Sequence, residues 1–290
     1  MSDFVILTDS SADLTPELVQ KLGIEVLPMS FIMDGKTYRN YPDNREMDPR
    51  QFYDLLRNGG SATTAAINVH EYTEALEKLL KAGKDVLLLV FSSGLSSTFQ
   101  SSVLALEDLK EEYPHRKLYT VDTLCASMGQ GLLVCLAADQ RDKGKSIEEV
   151  RDWVEANKLK LCHQFTVDDL QFLKRGGRIS ATTAAVGSML KIKPVLHVDD
   201  EGKLVSIGKA RGRAASLRAL VDKMEQTAIE PCEQTVFISH GDCAEDAQLV
   251  ADMVKERLGV REVITNFIGP VIGAHSGPGT VALFYVGAER

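Results

Sequence analysis

Few residues in this chain combine the type and spacing that chemistry needs. Near the end, IGPVIGAHSGPG (268–279) sets one histidine, His275, among four glycines and two prolines. Proline stiffens its flanks and glycine allows sharp turns or close approach, so such a loop can hold an imidazole over a cleft. The ring could contact an anion, serve as a base, ligate a metal or bond to backbone as a turn residue. A second signal is the placement of hydroxyls. Asp9-Ser10-Ser11, Thr63-Thr64, Ser92-Ser93 with Ser96-Ser97-Thr98, and Asp122-Thr123 all fall near strand ends or helix starts. In an open parallel sheet that edge is where ligands bind. Any one of these loops is explained by the preference of Ser, Thr and Asp for caps and turns; several together suggest a shared cleft. Ser93 with one of Thr63 or Thr64 is the pair best suited to a negative ligand oxygen, because hydroxyls and helix-start N–H groups both donate to it. Ser92 and Gly273 are secondary candidates. SSGLSS lacks the G-x-S-x-G elbow of a nucleophilic serine, and neither G-x-x-x-x-G-K-[ST] nor a G-x-G-x-x-G after the first strand signals a nucleotide site.

Two basic segments could serve such a cleft. GKARGRAAS places Arg211 and Arg213 at the expected start of a helix, where positive charge opposes the dipole. An anionic ligand or an acidic neighbour would compensate it; a solvated arginine is the plainer alternative. Arg211 could hold charge but not transfer protons. KRGGRIS (174–180) reads as a turn before a helix from about Ser180, with its arginines fixing the turn. The remaining histidines, 70, 115, 163, 197 and 240, have no close ligand spacing, so no metal is expected.

The elements that must position these residues follow a strand, polar loop, helix cadence. FVILT, IEVLPMSF, VLLLVF and KLYTV read as strands. Thr15 with Pro16 caps ELVQKL before Gly23, DPRQFYDLLRN and HEYTEALEKLLKAG read as helices, and Ser146 with Glu149 forms a capping box. This predicts an α/β domain with a mostly parallel sheet flanked by helices. The later part differs. PVLHVDDEGKLVSIG predicts two antiparallel strands about a turn, and TVFIS, EVITNFI and TVALFYV three more, with a helix over about 243–258 capped by Asp242 and Glu245 and stopped by Gly259. This predicts a C-terminal α+β domain with a mixed or antiparallel sheet. We expect domains at 1–160 and 161–290, with a ligand cleft between them.

Bulk composition narrows the function classes. With 290 residues and 44% hydrophobic content the chain can bury a substantial core. Its net charge of −8 supplies no field for nucleic acid or an anionic membrane. Five dispersed cysteines without a C-x-x-C pair predict reduced thiols and a cytoplasmic protein. Its apolar runs are strand-sized, well short of the roughly 20 residues that span a bilayer, so stable membrane insertion is not expected.

Taken together, VILTDSSADL, FSSGLSSTFQS, YTVDT, LKRGGRIS with SMLKIKPVL, KARGRAAS and IGPVIGAHSGPGTVALFY resemble the DegV family of bacterial fatty-acid-binding proteins, in order and over essentially the whole chain. The resemblance implies a long-chain fatty acid buried between two domains, with its carboxylate near Thr63, Thr64, Ser93, Arg211 and His275. Where relatives read T-S-Q-P this chain has Thr63-Thr64-Ala65-Ala66. It also implies a carrier without a cofactor of its own, presenting the carboxylate to a separate ATP-dependent fatty acid kinase subunit. A small-molecule kinase related to three-carbon-sugar kinases and a non-enzymatic regulatory module are the competing readings. The kinase would need nucleotide contacts that the sequence does not signal.

Overall fold

The computed structural model describes residues 4–180 and 192–290. The helix expected from about Ser180, and the SMLK part of SMLKIKPVL, lie outside the described residues. In chain order the elements are β1 (Phe4–Asp9), α1 (Pro16–Leu22), β2 (Ile24–Leu27), β3 (Ser30–Met33), β4 (Lys36–Arg39), α2 (Pro49–Arg57), β5 (Ala62–Ala65), α3 (Val69–Lys81), β6 (Asp85–Val90), α4 (Thr98–Glu112), β7 (Leu118–Asp122), α5 (Met128–Asp142) and α6 (Ile147–Asn157). They continue with β8 (Leu161–Thr166), α7 (Gln171–Arg175), β9 (Ile192–Val198), β10 (Leu204–Arg211), α8 (Arg213–Thr227), β11 (Thr235–His240), α9 (Ala244–Leu258), β12 (Glu262–Phe267), α10 (Pro270–Ser276) and β13 (Val281–Val286).

Three sheets organise them. The first is a parallel four-stranded sheet in the order β2-β1-β6-β7. The chain leaves β1 toward β2 on one side and β6 toward β7 on the other, so the switch in direction lies between β1 and β6, the place where open parallel sheets bind ligands. After its first residue, Asp85, the β6 strand is apolar and buried, as a strand covered on both faces requires. The second sheet has six strands in the order β10-β9-β8-β13-β11-β12, antiparallel except for the parallel β11–β12 pair crossed by α9. The α/β and α+β characters expected of the two halves are both present, and every strand of the second sheet lies beyond residue 160.

The third sheet, β4-β3-β5, departs from the sequence expectation. IEVLPMSF is two strands, β2 and β3, which part at Pro28 and join different sheets. The polar ATTA segment, read as a loop, is β5 and pairs antiparallel with β3. Two termini also differ from expectation. Asp242 does not cap α9; its carboxylate pairs with Arg57 of α2, and Cys243 occupies the cap position without a side-chain bond. Arg211 ends β10, and α8 begins only at Arg213. The Ser146–Glu149 box, the Thr15 cap and the left-handed Gly23 and Gly259 stops are formed as the sequence predicts.

Helix α5 packs on β8, β11 and β13 of the second sheet and also on β1 of the first. It does so through glycines: a methyl at Gly129 would lie 2.2 Å from His163 Nε2, and one at Gly131 would lie 2.6 Å from the Ala12 carbonyl oxygen. Large residues there would push the sheets apart. One continuous core therefore joins β1 and β6 side chains (Ile6, Leu87, Leu89) to Phe165, Phe237 and Phe284 of the second sheet.

Candidate functional site

The site grows from the short strand β5. Thr64 stands opposite Phe31 of β3, which is fully buried, while Thr63 stands opposite the exposed Ile32. Residues paired across a sheet share a face, so the alternation turns Thr64 inward and Thr63 outward. Thr64 Oγ1 lies 2.8 Å from His275 Nε2.

His275 arrives on α10, which is a helix rather than the loop its glycines suggest. Pro270 takes the first helical position, and Gly277, at φ 77°, ends the helix. Its docking depends on Asp13. The Gly269 N–H, at the helix start, donates to Asp13 Oδ1 (2.9 Å), Ser127 Oγ donates to Asp13 Oδ2 (2.5 Å), and Asn266 Nδ2 donates to the Asp13 carbonyl (2.8 Å). Burial raises the Asp13 pKa to about 7, against the lowering effect of the Ser127 and Gly269 bonds. On the other side Tyr53 Oη donates to the Ile268 carbonyl (2.8 Å), and Gly273 lets α10 settle on α2, since a methyl there would lie 2.5 Å from that phenol oxygen.

The cation beside this pair is Arg178, from the KRGGRIS turn. Its Nε donates to the Leu95 carbonyl (3.0 Å), which ties that turn to the SSGLSS loop, and its guanidinium also bonds the Gly176 carbonyl. Partial desolvation lowers the Arg178 pKa. Burial first, and Arg178 second, lower the His275 pKa to about 4, so the imidazole is neutral near neutral pH. Its Nδ1 is buried without a hydrogen-bond partner, facing Gly176. An orphaned lone pair costs less than an orphaned N–H, so we assign the ring hydrogen to Nε2, donating to Thr64 Oγ1. That leaves the Thr64 hydroxyl hydrogen free for a ligand oxygen.

Behind these three residues lies a cavity of about 310 Å³ between the two larger sheets. Met29, Phe91 and Leu95 line it from one side, Phe165, Val198 and Leu204 from the other, and Val271 and Ile272 of α10 from a third. Thr64, Ser96, Ser97, Arg178 and His275 supply polar lining, and His163 is also in the wall. His163 Nδ1 lies 2.8 Å from the Leu161 carbonyl and its Nε2 accepts from the Ala126 N–H (3.2 Å). Burial holds its pKa well below the ordinary value, so it acts as a neutral wall group.

The other residues singled out from sequence sit elsewhere. Ser93 is exposed, and its N–H donates to Asp122 (3.2 Å). Ser92 is buried as a structural link, donating to the Gly202 carbonyl at the β9–β10 turn (2.8 Å) and accepting from the Gly94 N–H (3.1 Å). Arg211 is exposed at the end of β10 and does not line the cavity. Arg213 is compensated as a cation at a helix start should be, by Asp246, Asp168 and the Gly279 carbonyl. The Asp9-Ser10-Ser11 cluster forms a buried network in which Asp9 accepts from Ser11, Gln130 and the Phe91 N–H. Arg178, Ser96 and Ser97 line the cavity without being singled out by the sequence as head-group contacts, although they lie inside segments it marks out. The one available signal for Arg178 is the adjoining glycine pair, of which Gly176 brings backbone close to His275.

The family model described as "Uncharacterised protein, DegV family" matches residues 3–288. The chain belongs to the DegV family. A DegV domain-containing protein of Clostridium perfringens is 47% identical over 290 residues, covering 100% of this chain and 99% of that protein. Among solved structures, a DegV family protein from Thermus thermophilus described for fatty acid binding shares 30% identity at a TM-score of 0.88, covering 98% of this chain and 99% of that one. The DegV fold of this chain is also that of the Streptococcus pneumoniae fatty acid kinase B3 protein loaded with linoleic acid, at 20% identity and a TM-score of 0.85, covering 99% of each chain. Among the described residues, no helix of this DegV protein is long and apolar enough to cross a membrane.

Proposed function

We propose that this protein is a fatty-acid carrier that buries a long acyl chain between residues 1–160 and 161–290, taken as two domains, and holds the carboxylate at Thr64, Arg178 and His275. The observation that carries this reading is the apolar cavity whose polar end is formed by those three side chains. Each buried methylene contributes about 0.8 kcal/mol, so the chain supplies most of the affinity and the polar end sets orientation. The Thr64 hydroxyl donates one hydrogen bond to the carboxylate and the Arg178 guanidinium supplies the charge. Ser97, which also lines the cavity, is a further donor. The neutral His275 ring fixes Thr64 in its donating orientation.

In this reading the protein acts in the cytoplasm with a separate ATP-dependent kinase subunit, which accords with the missing nucleotide motifs and with the fold shared with the kinase B3 protein. A carboxylate oxygen attacks the terminal phosphorus of ATP held by that subunit, the phosphorus–oxygen bond to ADP breaks, and its electron pair leaves on ADP. The carrier keeps the acyl phosphate and needs no metal or cofactor of its own.

The head-group assignment is tested by comparing palmitate with hexadecanol in wild type, Thr64→Val and Arg178→Gln proteins. Wild type should prefer the acid, and each variant should lose roughly a tenfold part of that preference, the worth of a hydrogen bond to a charged group. An unchanged preference in both variants would remove these residues from the carboxylate site.

A further inference from the structure

The apolar cavity carries hydroxyl residues where α10 passes into β13. Ile272 and Ser276 both line it and stand one turn apart on α10, so they share a face, and Ser276 interrupts what would otherwise be an apolar stripe. On β13 the alternate residues Ala282 and Phe284 line the cavity, and Thr280, two residues before Ala282, lines it as well. Each wall thus runs from a hydroxyl to apolar side chains. The two hydroxyl residues meet where the elements join: Thr280 Oγ1 donates to the Ser276 carbonyl (2.9 Å) or, alternatively, to the Gly277 carbonyl (3.0 Å).

Ser276 and Thr280 are both buried. Among the described residues, Ser276 Oγ has no hydrogen-bond partner, and a buried hydroxyl left unpaired is destabilising. The single hydroxyl hydrogen of Thr280 is committed to a carbonyl, which leaves its oxygen able to accept. The pair therefore offers one donor, Ser276 Oγ–H, and one acceptor, Thr280 Oγ1. An alcohol, which accepts one hydrogen bond and donates another, is the complement of such a pair, whereas a methylene satisfies neither member. Ser276 directly follows His275, and consecutive Cα atoms are about 3.8 Å apart, the reach of a few carbon–carbon bonds. A ligand hydroxyl that meets Ser276 accordingly sits on one of the first carbons beyond a carboxylate held at His275.

We propose that Ser276 and Thr280 form a hydroxyl subsite, and that the cavity accepts long-chain acids of the 3-hydroxy class as well as unsubstituted ones. The inference rests on the fatty-acid reading above. In it, the carboxylate stays at Thr64, Arg178 and His275, the ligand hydroxyl accepts from Ser276 Oγ and donates to Thr280 Oγ1, and the rest of the chain lies against Ile272, Ala282 and Phe284. Because donor and acceptor stand on two fixed elements, only one enantiomer presents its hydroxyl to both.

The test measures the binding of palmitate and of each enantiomer of 3-hydroxypalmitate to wild type and Ser276→Ala proteins. Alanine suits a helix and removes only the unpaired hydroxyl, so the variant should fold, with melting curves confirming it. Wild type should hold the better enantiomer at least as tightly as palmitate and about tenfold more tightly than the other, the worth of pairing a buried hydroxyl. Ser276→Ala should weaken that enantiomer about tenfold and leave palmitate as tight or tighter, since no hydroxyl is then orphaned. Wild-type binding of both enantiomers about tenfold or more weaker than palmitate, the penalty of an unpaired ligand hydroxyl, would overturn the subsite while leaving the fatty-acid reading intact, and that comparison needs no variant. An effect of Ser276→Ala that is the same for all three lipids, including no effect, would overturn it too. Failure of wild type to bind any of the three would remove the fatty-acid reading, and the subsite with it.

Discussion

Gly176 makes room for the imidazole of His275, because a methyl there would lie 2.2 Å from Nδ1. Its own φ is −71°, so alanine fits the backbone and the clash alone is at issue. Gly176→Ala should therefore keep the fold, displace the ring from Thr64 and weaken fatty-acid binding about fivefold, the ~1 kcal/mol of one hydrogen bond; unchanged affinity by calorimetry would show that His275 does not orient Thr64. At this scale the sequence was legible in part. The hydroxyls, the glycine pair and His275 all stood out. Thr64 could not be told from Thr63, because ATTA has no apolar alternation to say which face is buried; only pairing with Phe31 decides it. Arg178 is no more conspicuous than Arg211 in the sequence, since an arginine's charge is visible there but its neighbours are not.

Elements with strong local signals were the easiest to read. Capping boxes and Pro-first helices state their own boundaries through hydrogen bonds made within a few residues, and β6 states its own through an unbroken apolar run. What escaped was determined by distant partners. β5 exists because β3 pairs with it, and Asp242 serves Arg57 instead of its own helix. α10 looked like a loop, although a proline at its first position and glycine after its last are what a short helix uses. The SSGLSS loop is similarly set from afar, by Ser92 reaching the Gly202 carbonyl in the second sheet. Ser92→Ala removes that bond and the one from Gly94, and should cost about 1–2 kcal/mol in denaturant unfolding. A change below a few tenths would mean the loop is held by other contacts, such as Arg178 on Leu95.

On the scale of the whole molecule, the two large sheets are joined through α5 and through the Asp13 clasp on α10. A ligand cleft between the two halves is expected from the sequence, but its apolar lining is not legible there, because side chains lining a tunnel and side chains filling a core are the same residue types. Asp13 gives the assembly a pH signature. Its folded pKa, about 7, exceeds the ordinary 3.8, so the native state holds more protons between those values and this group's contribution to stability falls as pH rises through that window. His275, lowered from 6.5 to about 4, has the opposite slope, being neutral when folded while the unfolded ring takes up a proton. Comparing Asp13→Asn with the parent isolates the carboxyl: the variant should lose less stability than the parent as pH rises from 4 to 7, and identical profiles would mean that Asp13 titrates normally.

The central claim is that the space between the sheets holds a fatty acid, and the most direct measurement is native mass spectrometry of freshly purified protein with identification of the released ligand. The structure predicts one long-chain fatty acid per chain, released intact on denaturation. A protein that carries only a nucleotide or sugar phosphate, and takes up no fatty acid when offered one, would contradict it.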